Sequence, residues 1–336
     1  MVKLGVIGVG RMGSNHARIC SRLRNIDLVG YCDIIREKAN EASKTYNTKS
    51  FYDYKEMLNY VDAVIISTQS EFHYEIAKYY LQNKKHVLIE KPITIHDLEA
   101  EELIQIAEKN NVVLTVGHVE RFNAVIEALN GVYRKDKIIA INAKRMSPMD
   151  HRVKDIDVIM DLMIHDIDII LNLLKPYKVT NIFASGRSVK KESLRLGHVD
   201  YAVANLVFEN GVIANITASR VTEKKVRKLE IIEVERYVDV DYMDKSIEIT
   251  SKFIPKINEN ASTRSLEYSQ ESIVERVSVN TTESLLEEDQ CFVDSINQNK
   301  KPRVSGKDGL TALKIVKCIQ ELVYESSISY VAVSLE

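Results

Sequence analysis

The chain has 336 residues, enough for two domains that each bury a core of their own. Apolar residues make up 45% and charged ones 28%, the balance of a soluble globular protein, and the apolar runs are too short and interrupted for a membrane span. A formal net charge of -2 gives no basic field of the kind that draws nucleic acid or an anionic membrane surface.

The opening MVKLGVIGVG carries one lysine and no signal-peptide cleavage pattern. Cys20, Cys32, Cys291 and Cys318 lie scattered in apolar contexts without metal or redox spacing. Reduced thiols in a cytoplasmic protein are the expectation.

The first 120 residues alternate strand and helix patterns. KLGVIGV reads as a buried strand, RMGSNHARICSRLR as a helix, DLVGYCDI as a second strand, REKANEASKTYN as a helix and KSFYDY as a short strand. DAVIIST, KKHVLIEKP and VVLTVGHV continue the strands, separated by the helical EFHYEIAKYYLQN and HDLEAEELIQIAEKNN. Continuous Val/Ile/Leu runs spaced by helices predict parallel strands covered on both faces, a doubly wound (Rossmann) sheet. After a connecting helix in RFNAVIEALNGVYR the pattern changes. KIIAINAKRMS is a strand, a long helix spans residues 155–174, and alternating strands follow in VTNIFASGRSV and VDYAVANLVFENGVIANITASRV, where Asn210-Gly211 marks a hairpin. KLEIIEVERYVDVDY and KSIEITS continue the alternation, residues 255–282 are polar, and two helical stretches, SLLEEDQCFVDSINQN and KDGLTALKIVKCIQELVYES, close the chain.

The fold expected is α/β. It places a dinucleotide-binding Rossmann domain at residues 1–120 and an α+β substrate-binding and oligomerisation domain at 121–336. The second domain carries an open, mainly antiparallel sheet, and the C-terminal helices are free to pack back on the first domain.

Gly8-Val9-Gly10-Arg11-Met12-Gly13 is a G-x-G-x-x-G directly after strand one and opening a helix. In that context Gly8 permits the tight turn, Gly10 lets a pyrophosphate approach the backbone, and Gly13 lets helix and strand pack closely, with the helix N-terminus facing the phosphates. Arg11 and Met12 belong to the same loop. Asp33 ends the second strand about 20 residues on, where an acid can bond a ribose 2′-OH; this favours NAD, while Arg36 nearby keeps NADP open. Glu90-Lys91-Pro92 closes the fifth strand, and the carboxyl ends of strands are where open sheets bind ligands. A strand-end lysine taken alone is more simply a solvated one. Thr68 and His73 flank the same edge, and His73 alone is more simply a helix-start residue than a ligand contact.

A harder case is DVIMDLMIHDIDIILNLL, residues 157–174, an apolar helix on which Asp161, His165 and Asp168 recur at i, i+4 and i+7. Buried unpaired charge is expensive, so the stripe needs a partner. Ion pairing to Arg145 or Arg152, a metal and a catalytic role all remain open. Asp161 and His165 supply only two metal ligands and no third stands nearby, so no metal is expected.

Four spaced motifs occur in order: Gly8–Gly13, Thr68 to His73, Glu90-Lys91-Pro92, and Asp161 to His165. Together they resemble the glucose–fructose oxidoreductase / inositol dehydrogenase / MocA family over nearly the whole chain. Gly117-His118-Val119-Glu120-Arg121-Phe122-Asn123 and the segment from Pro148 through Arg152 and Asp155 to Asp168 are similar to its nucleotide-sugar branch, the UDP-N-acetylglucosamine 3-dehydrogenases. Asn123 is followed by Ala124 where that branch often has proline, and there is less glycine around Met149 and Asp150.

The resemblance implies a cytoplasmic NAD(P)-dependent dehydrogenase acting on a sugar hydroxyl. The position would be C3 of a UDP-N-acetylhexosamine such as UDP-GlcNAc. It implies Lys91, His165 and Asp161 as the catalytic set, and Thr68, His73, Glu90 and Lys91 beside the cofactor. Glu120, Arg121, Asn123 and Arg152 would join Lys91, Asp161 and His165 in holding the substrate. The partners expected are the small-molecule substrate and further copies of the chain, as a homodimer or homotetramer. A free sugar or cyclitol substrate and a non-catalytic dinucleotide sensor are the alternatives. The sensor accounts least well for the presence of both Lys91 and His165.

Overall fold

The computed structural model describes residues 1–149, 156–252, 272–279 and 282–326. They form two compact units, one of residues 1–123 with 282–317 and the other of 124–281 with 318–336.

The first unit is built on six strands: β1 (Val2–Ile7), β2 (Ile26–Cys32), β3 (Lys49–Phe51), β4 (Ala63–Ile66), β5 (His86–Glu90) and β6 (Leu114–Gly117). Its helices are α1 (Arg11–Cys20), α2 (Arg36–Tyr46), α3 (His73–Gln82) and α4 (Asp97–Asn110), with 3₁₀ turns at Tyr54–Tyr60 and Ser70–Phe72. The strands are all parallel, in the order β3-β2-β1-β4-β5-β6. This is the doubly wound arrangement expected. Leu4, Val6, Ile65, Ile66, Leu88 and Ile89 are completely buried because helices cover both faces, and each contributes about 1.5–3 kcal/mol of burial. The strand order reverses between β1 and β4, so the carboxyl ends of these strands part and leave a crevice.

The second unit begins with α5 (Ala124–Leu129) and β7 (Ile138–Met146). It continues with α6 (Ile164–Leu174), β8 (Val179–Arg187), α7 (Lys191–Leu196), β9 (Tyr201–Phe208), β10 (Ile213–Ser219), β11 (Val226–Glu233), β12 (Arg236–Asp241), β13 (Ser246–Lys252) and β14 (Ser272–Val277). Its eight strands run β14-β13-β12-β11-β7-β10-β9-β8. Every neighbouring pair is antiparallel except β7 and β10, which are parallel. The helical segment leading into α6 and α6 itself pack on β7 and β10. Ile141, Ala143, Ala204, Ala214, Ile216, Leu229 and Ile231 are therefore buried while their alternates are not. Two further helices, α8 (Ser284–Asn297) and α9 (Gly306–Ser326), follow; α8 belongs to the first unit, and the division between units falls within α9 after Lys317.

Three elements depart from the sequence reading. KLEIIEVERYVDVDY splits into β11 and β12 at a turn where Glu235 adopts φ +66°. No glycine or Asn-Gly pair announces that turn. The short α7 lies between two of the predicted strands, in a stretch to which the sequence reading assigned no element. The long helix is not uniformly α: residues Ile159–Met163 form a π turn, closed by the Ile164 N–H bonding the Ile159 carbonyl five residues back. Among the described residues no helix is long and apolar enough to cross a membrane.

Candidate active site

In the first unit the ends of β1, β2 and β4 border a cleft of about 650 Å³. Gly8, Gly10, Arg11 and Met12 line one wall, Asp33 another and Thr68 a third. The loop is shaped by glycine where glycine is required. Gly8 sits at φ +86°, and a Cβ on Gly13 would come 1.8 Å from the Gly8 carbonyl oxygen, so α1 can start against the strand end only with hydrogen at position 13. At Gly10, by contrast, a Cβ would meet nothing within 4 Å, which leaves the backbone open to the cleft. Gly10 also caps α1 without any side-chain hydrogen bond. The helix thus begins beside the cleft with a cap residue that brings no side chain to its first N–H groups, the arrangement that suits a phosphate group.

Asp33 holds the loop from the neighbouring strand. Its Oδ2 accepts the Val9 N–H at 2.8 Å and its Oδ1 the Ile35 N–H at 2.8 Å. Arg36 does not border the cleft; its guanidinium lies 4.7 Å from the centre of the Tyr52 ring. Lys38, Tyr52, Tyr54 and Phe72 also line the cleft, and no spacing in the sequence pointed to them.

His73 opens α3 and is buried between two carbonyls. Nδ1 lies 2.8 Å from the Pro92 oxygen and Nε2 3.2 Å from the Thr68 oxygen. Burial lowers its pKa, outweighing the two carbonyls. The neutral ring donates one hydrogen bond, so His73 ties the segment after β5 to the one after β4. Lys91 is half-buried at the end of β5, and the Lys91–Pro92 peptide bond is cis. Glu90 points inward and is buried with His16. After β6, the 3₁₀ turn Val119–Phe122 carries Glu120 and Arg121, both buried. Asn123 donates from Nδ2 to Glu120 at 3.0 Å, and Arg121, 2% exposed, lies 3.8 Å from Asp308.

In the second unit the acidic stripe divides into members with different partners. Asp157 caps the helical segment, its Oδ1 accepting the Ile159 and Met160 N–H groups at 3.1 and 2.9 Å, while its Oδ2 accepts from Gln320 and Tyr324. Asp166 is fully buried in a two-bond pair with Arg145, at 2.8 and 2.9 Å. Asp168 is buried too. Asp161 and His165 are the half-buried members. Asp161 sits within the π turn, 2.8 Å from Arg220, which in turn donates to the Ile156 and Asp157 carbonyls. Arg220 directly follows β10 and was invisible in sequence, because strand spacing does not reveal which helix a side chain at a strand end meets. Arg152 lies outside the described residues. Among those described, no group of three or more His, Cys, Asp or Glu side chains could hold a metal ion.

Residues 2–118 match the profile of the oxidoreductase family with an NAD-binding Rossmann fold, and residues 137–234 match the GFO/IDH/MocA C-terminal domain. The chain is 34% identical to UDP-N-acetylglucosamine 3-dehydrogenase from Acidithiobacillus ferrooxidans over 252 residues, 74% of this chain and 76% of that protein. A solved structure of that protein superposes with a TM-score of 0.86 at 29% identity, covering 96% of this chain and 98% of the other. Myo-inositol 2-dehydrogenase from Thermotoga maritima is 26% identical over 93% of each chain.

Proposed function

The chain belongs to the GFO/IDH/MocA oxidoreductase family, and on that premise we propose that it oxidises the C3 hydroxyl of a UDP-N-acetylhexosamine such as UDP-GlcNAc, with NAD as cofactor. The observation that carries the dehydrogenase reading is the cleft at the ends of β1, β2 and β4, with its glycine loop, open α1 N-terminus and Asp33. Gly8, Gly10, Arg11, Met12 and Gly13 would hold the pyrophosphate and Asp33 the adenosine ribose, with Thr68, His73, Glu90 and Lys91 shaping the nicotinamide end. When bound, the nicotinamide supplies the hydride acceptor. NAD is favoured over NADP because the Asp33 carboxylate would repel a 2′-phosphate and Arg36 is already stacked on Tyr52.

The remaining work falls to side chains. Lys91 Nζ donates to the substrate oxygen and stabilises the negative charge that grows there. The His165 imidazole takes the hydroxyl proton, a role neutral histidine suits near pH 7. Asp161, braced by Arg220, orients the sugar or the imidazole. Glu120, Arg121, Asn123 and Arg152 are assigned to the substrate. The family likeness to myo-inositol 2-dehydrogenase over 93% of the chain supports a cyclitol as the second reading.

The deciding measurement incubates purified protein with NAD and either UDP-GlcNAc or myo-inositol, following NADH absorbance and the mass of the product. Loss of two hydrogens from UDP-GlcNAc alone supports the first reading, and from myo-inositol alone the second. Lys91→Ala and His165→Ala should each lower kcat by about 10²–10⁴-fold. Wild-type turnover in either variant overturns its assignment.

The second unit supports self-association. The face of its sheet opposite α6 exposes Phe183 (61%), Tyr201, Ile213 and Tyr237 around a polar ladder in which Asn205 donates to Asn215, and Asn215 to Asn142 at 2.8 Å. A wide face with apolar positions round hydrogen-bonded amides suits a symmetric homo-oligomer.

A further inference from the structure

Under the end of β5 lies a cluster of ionisable side chains that the proposed reaction does not use. His16, one turn along α1 from Gly13, is completely buried with both ring nitrogens engaged. Nδ1 lies 3.0 and 2.9 Å from the two carboxylate oxygens of Asp289 on α8, and Nε2 lies 3.0 Å from Oε1 of Glu90. The neutral ring carries one N–H, so a ring held between two carboxylates is satisfied on both sides only as imidazolium. Burial alone would lower its pKa, but Asp289 and then Glu90 raise it well above the ordinary value. Burial pushes Glu90 upward, yet the His16 contact, together with the Lys91 charge and backbone N–H, outweighs it and keeps that carboxyl below its usual range.

Glu90 transmits this to the strand end. Its Oε2 accepts the backbone N–H of Lys91 at 3.2 Å. On its other side the carboxyl packs over Gly117 of β6, where a Cβ would stand 3.1 Å from Glu90 Cδ. Side-chain contacts therefore lead without a gap from α8 through α1 to the peptide that carries Lys91.

We propose that His16 is a positioning residue for Lys91, acting through the Glu90 carboxylate and braced by Asp289. The inference rests on the reading of Lys91 as the group that contacts the reacting hydroxyl. Lys91 is the first residue beyond β5, where the ladder no longer fixes the backbone, so its N–H is held by a side chain instead. A displacement of about 1 Å at such a group costs on the order of a hundredfold in rate. The other titratable groups around His16 are Glu288 on α8 and Cys20 on α1. Burial, and then the neighbouring carboxylates, push both upward. The ring's hydrogen-bond partners are Glu90 and Asp289 alone, and burial pushes the Asp289 carboxyl upward against the pull of His16.

The test uses the full-length protein as His16→Gln, Asp289→Asn and Glu90→Gln, with NADH affinity and melting temperature measured beside turnover. The expected result is a 10–100-fold loss of kcat, with substrate KM and NADH Kd of His16→Gln and Asp289→Asn within about threefold of wild type. Asp289→Asn leaves His16 one carboxylate fewer, so its proton is lost at lower pH; the alkaline fall of kcat should move to lower pH than in wild type. In a Lys91→Ala background, His16→Gln should change the residual rate less than twofold, because a residue acting through Lys91 has nothing left to position. The backbone N–H of Lys91 should exchange faster with deuterium in all three variants.

Folded His16→Gln and Asp289→Asn proteins with wild-type kcat overturn the proposal. A loss that persists in full over Lys91→Ala, or a parallel loss of NADH affinity in His16→Gln or Asp289→Asn, overturns it in favour of a general structural role, as does failure of all three variants to fold. Wild-type turnover in Lys91→Ala overturns the reading of Lys91 instead, and amide exchange at Lys91 then still reports whether His16 holds that segment.

Discussion

At the scale of single residues, the chemistry depends on what each polar group already touches. Asp33 spends both oxygens on backbone N–H groups, so it is rigid before any ligand arrives. Asp33→Asn keeps one acceptor and removes the charge. The expected outcome is a rise of at least about tenfold in NADPH-over-NADH preference, read from the two dissociation constants, for a relief of roughly 1.4 kcal/mol or more in repulsion of a 2′-phosphate. Unchanged preference would remove Asp33 from the ribose site. Arg145 and Asp166 show the opposite case. The pair is buried, satisfied on both sides and close to the Tyr242 ring, which explains why an apolar helix tolerates that aspartate.

Elements decide which members of the acidic stripe face outward. On an unbroken α-helix Asp161, His165 and Asp168 share a face; the π turn at Ile159–Met163 inserts one extra residue per turn and shifts the phase ahead of α6. Asp161 is thereby offset from the two members on α6; of those, Asp168 is buried while His165, like Asp161, remains half-exposed. Asp157 makes this geometry possible by capping the segment and receiving Gln320 and Tyr324. Asp157→Ala removes the cap and strands two half-buried donors. It should cost about 2–4 kcal/mol in urea denaturation and reduce turnover along with it. A loss under about 0.5 kcal/mol would show that the cap does not hold the segment. The periodicity of the apolar residues was legible in the sequence, whereas the π turn was not, because the run keeps an ordinary helical spacing through Ile159–Met163 and no residue type marks the extra residue.

For the molecule as a whole, buried and half-buried histidines of opposite character set the pH range of stability. His73 and His86 have their pKa values lowered by burial, and His86 Nδ1 accepts the Val113 N–H and must stay unprotonated to do so. As pH falls below about 6.5 the unfolded chain takes up these protons first, so stability is lost on the acid side. His16 is raised, so its contribution is complete below about 6.5 and is lost as pH climbs through its folded value. Glu288, raised by burial and with neither carboxylate oxygen hydrogen-bonded, adds to the alkaline loss, because the unfolded chain ionises it first above about 4.5. Glu288→Gln should therefore raise the melting temperature at pH 8 more than at pH 5. An equal shift at both would mean that its ionisation carries no penalty. The open sheet face makes a separate prediction: Phe183→Asp should lower the mass measured by light scattering to that of a smaller assembly while leaving NADH binding intact.

What the sequence by itself determined is the part governed by local rules. The parallel strand runs, the glycine loop after β1, Asp33 at the end of β2 and the hairpin at Asn210-Gly211 are each set by backbone sterics and side-chain periodicity within a few residues. The partners of the buried charges are different in kind. His16 with Asp289, Asp161 with Arg220 and Asp157 with Tyr324 join residues 273, 59 and 167 positions apart. No local pattern encodes which carboxylate a buried imidazole or guanidinium will meet, because the cost of burying each charge is recovered only where tertiary packing brings its counterpart within hydrogen-bond reach. The short GxGxxG and EKP motifs could be read from the chain. The buried imidazole–carboxylate chain beneath the lysine of the second motif exists only once α1, β5 and α8 are packed together.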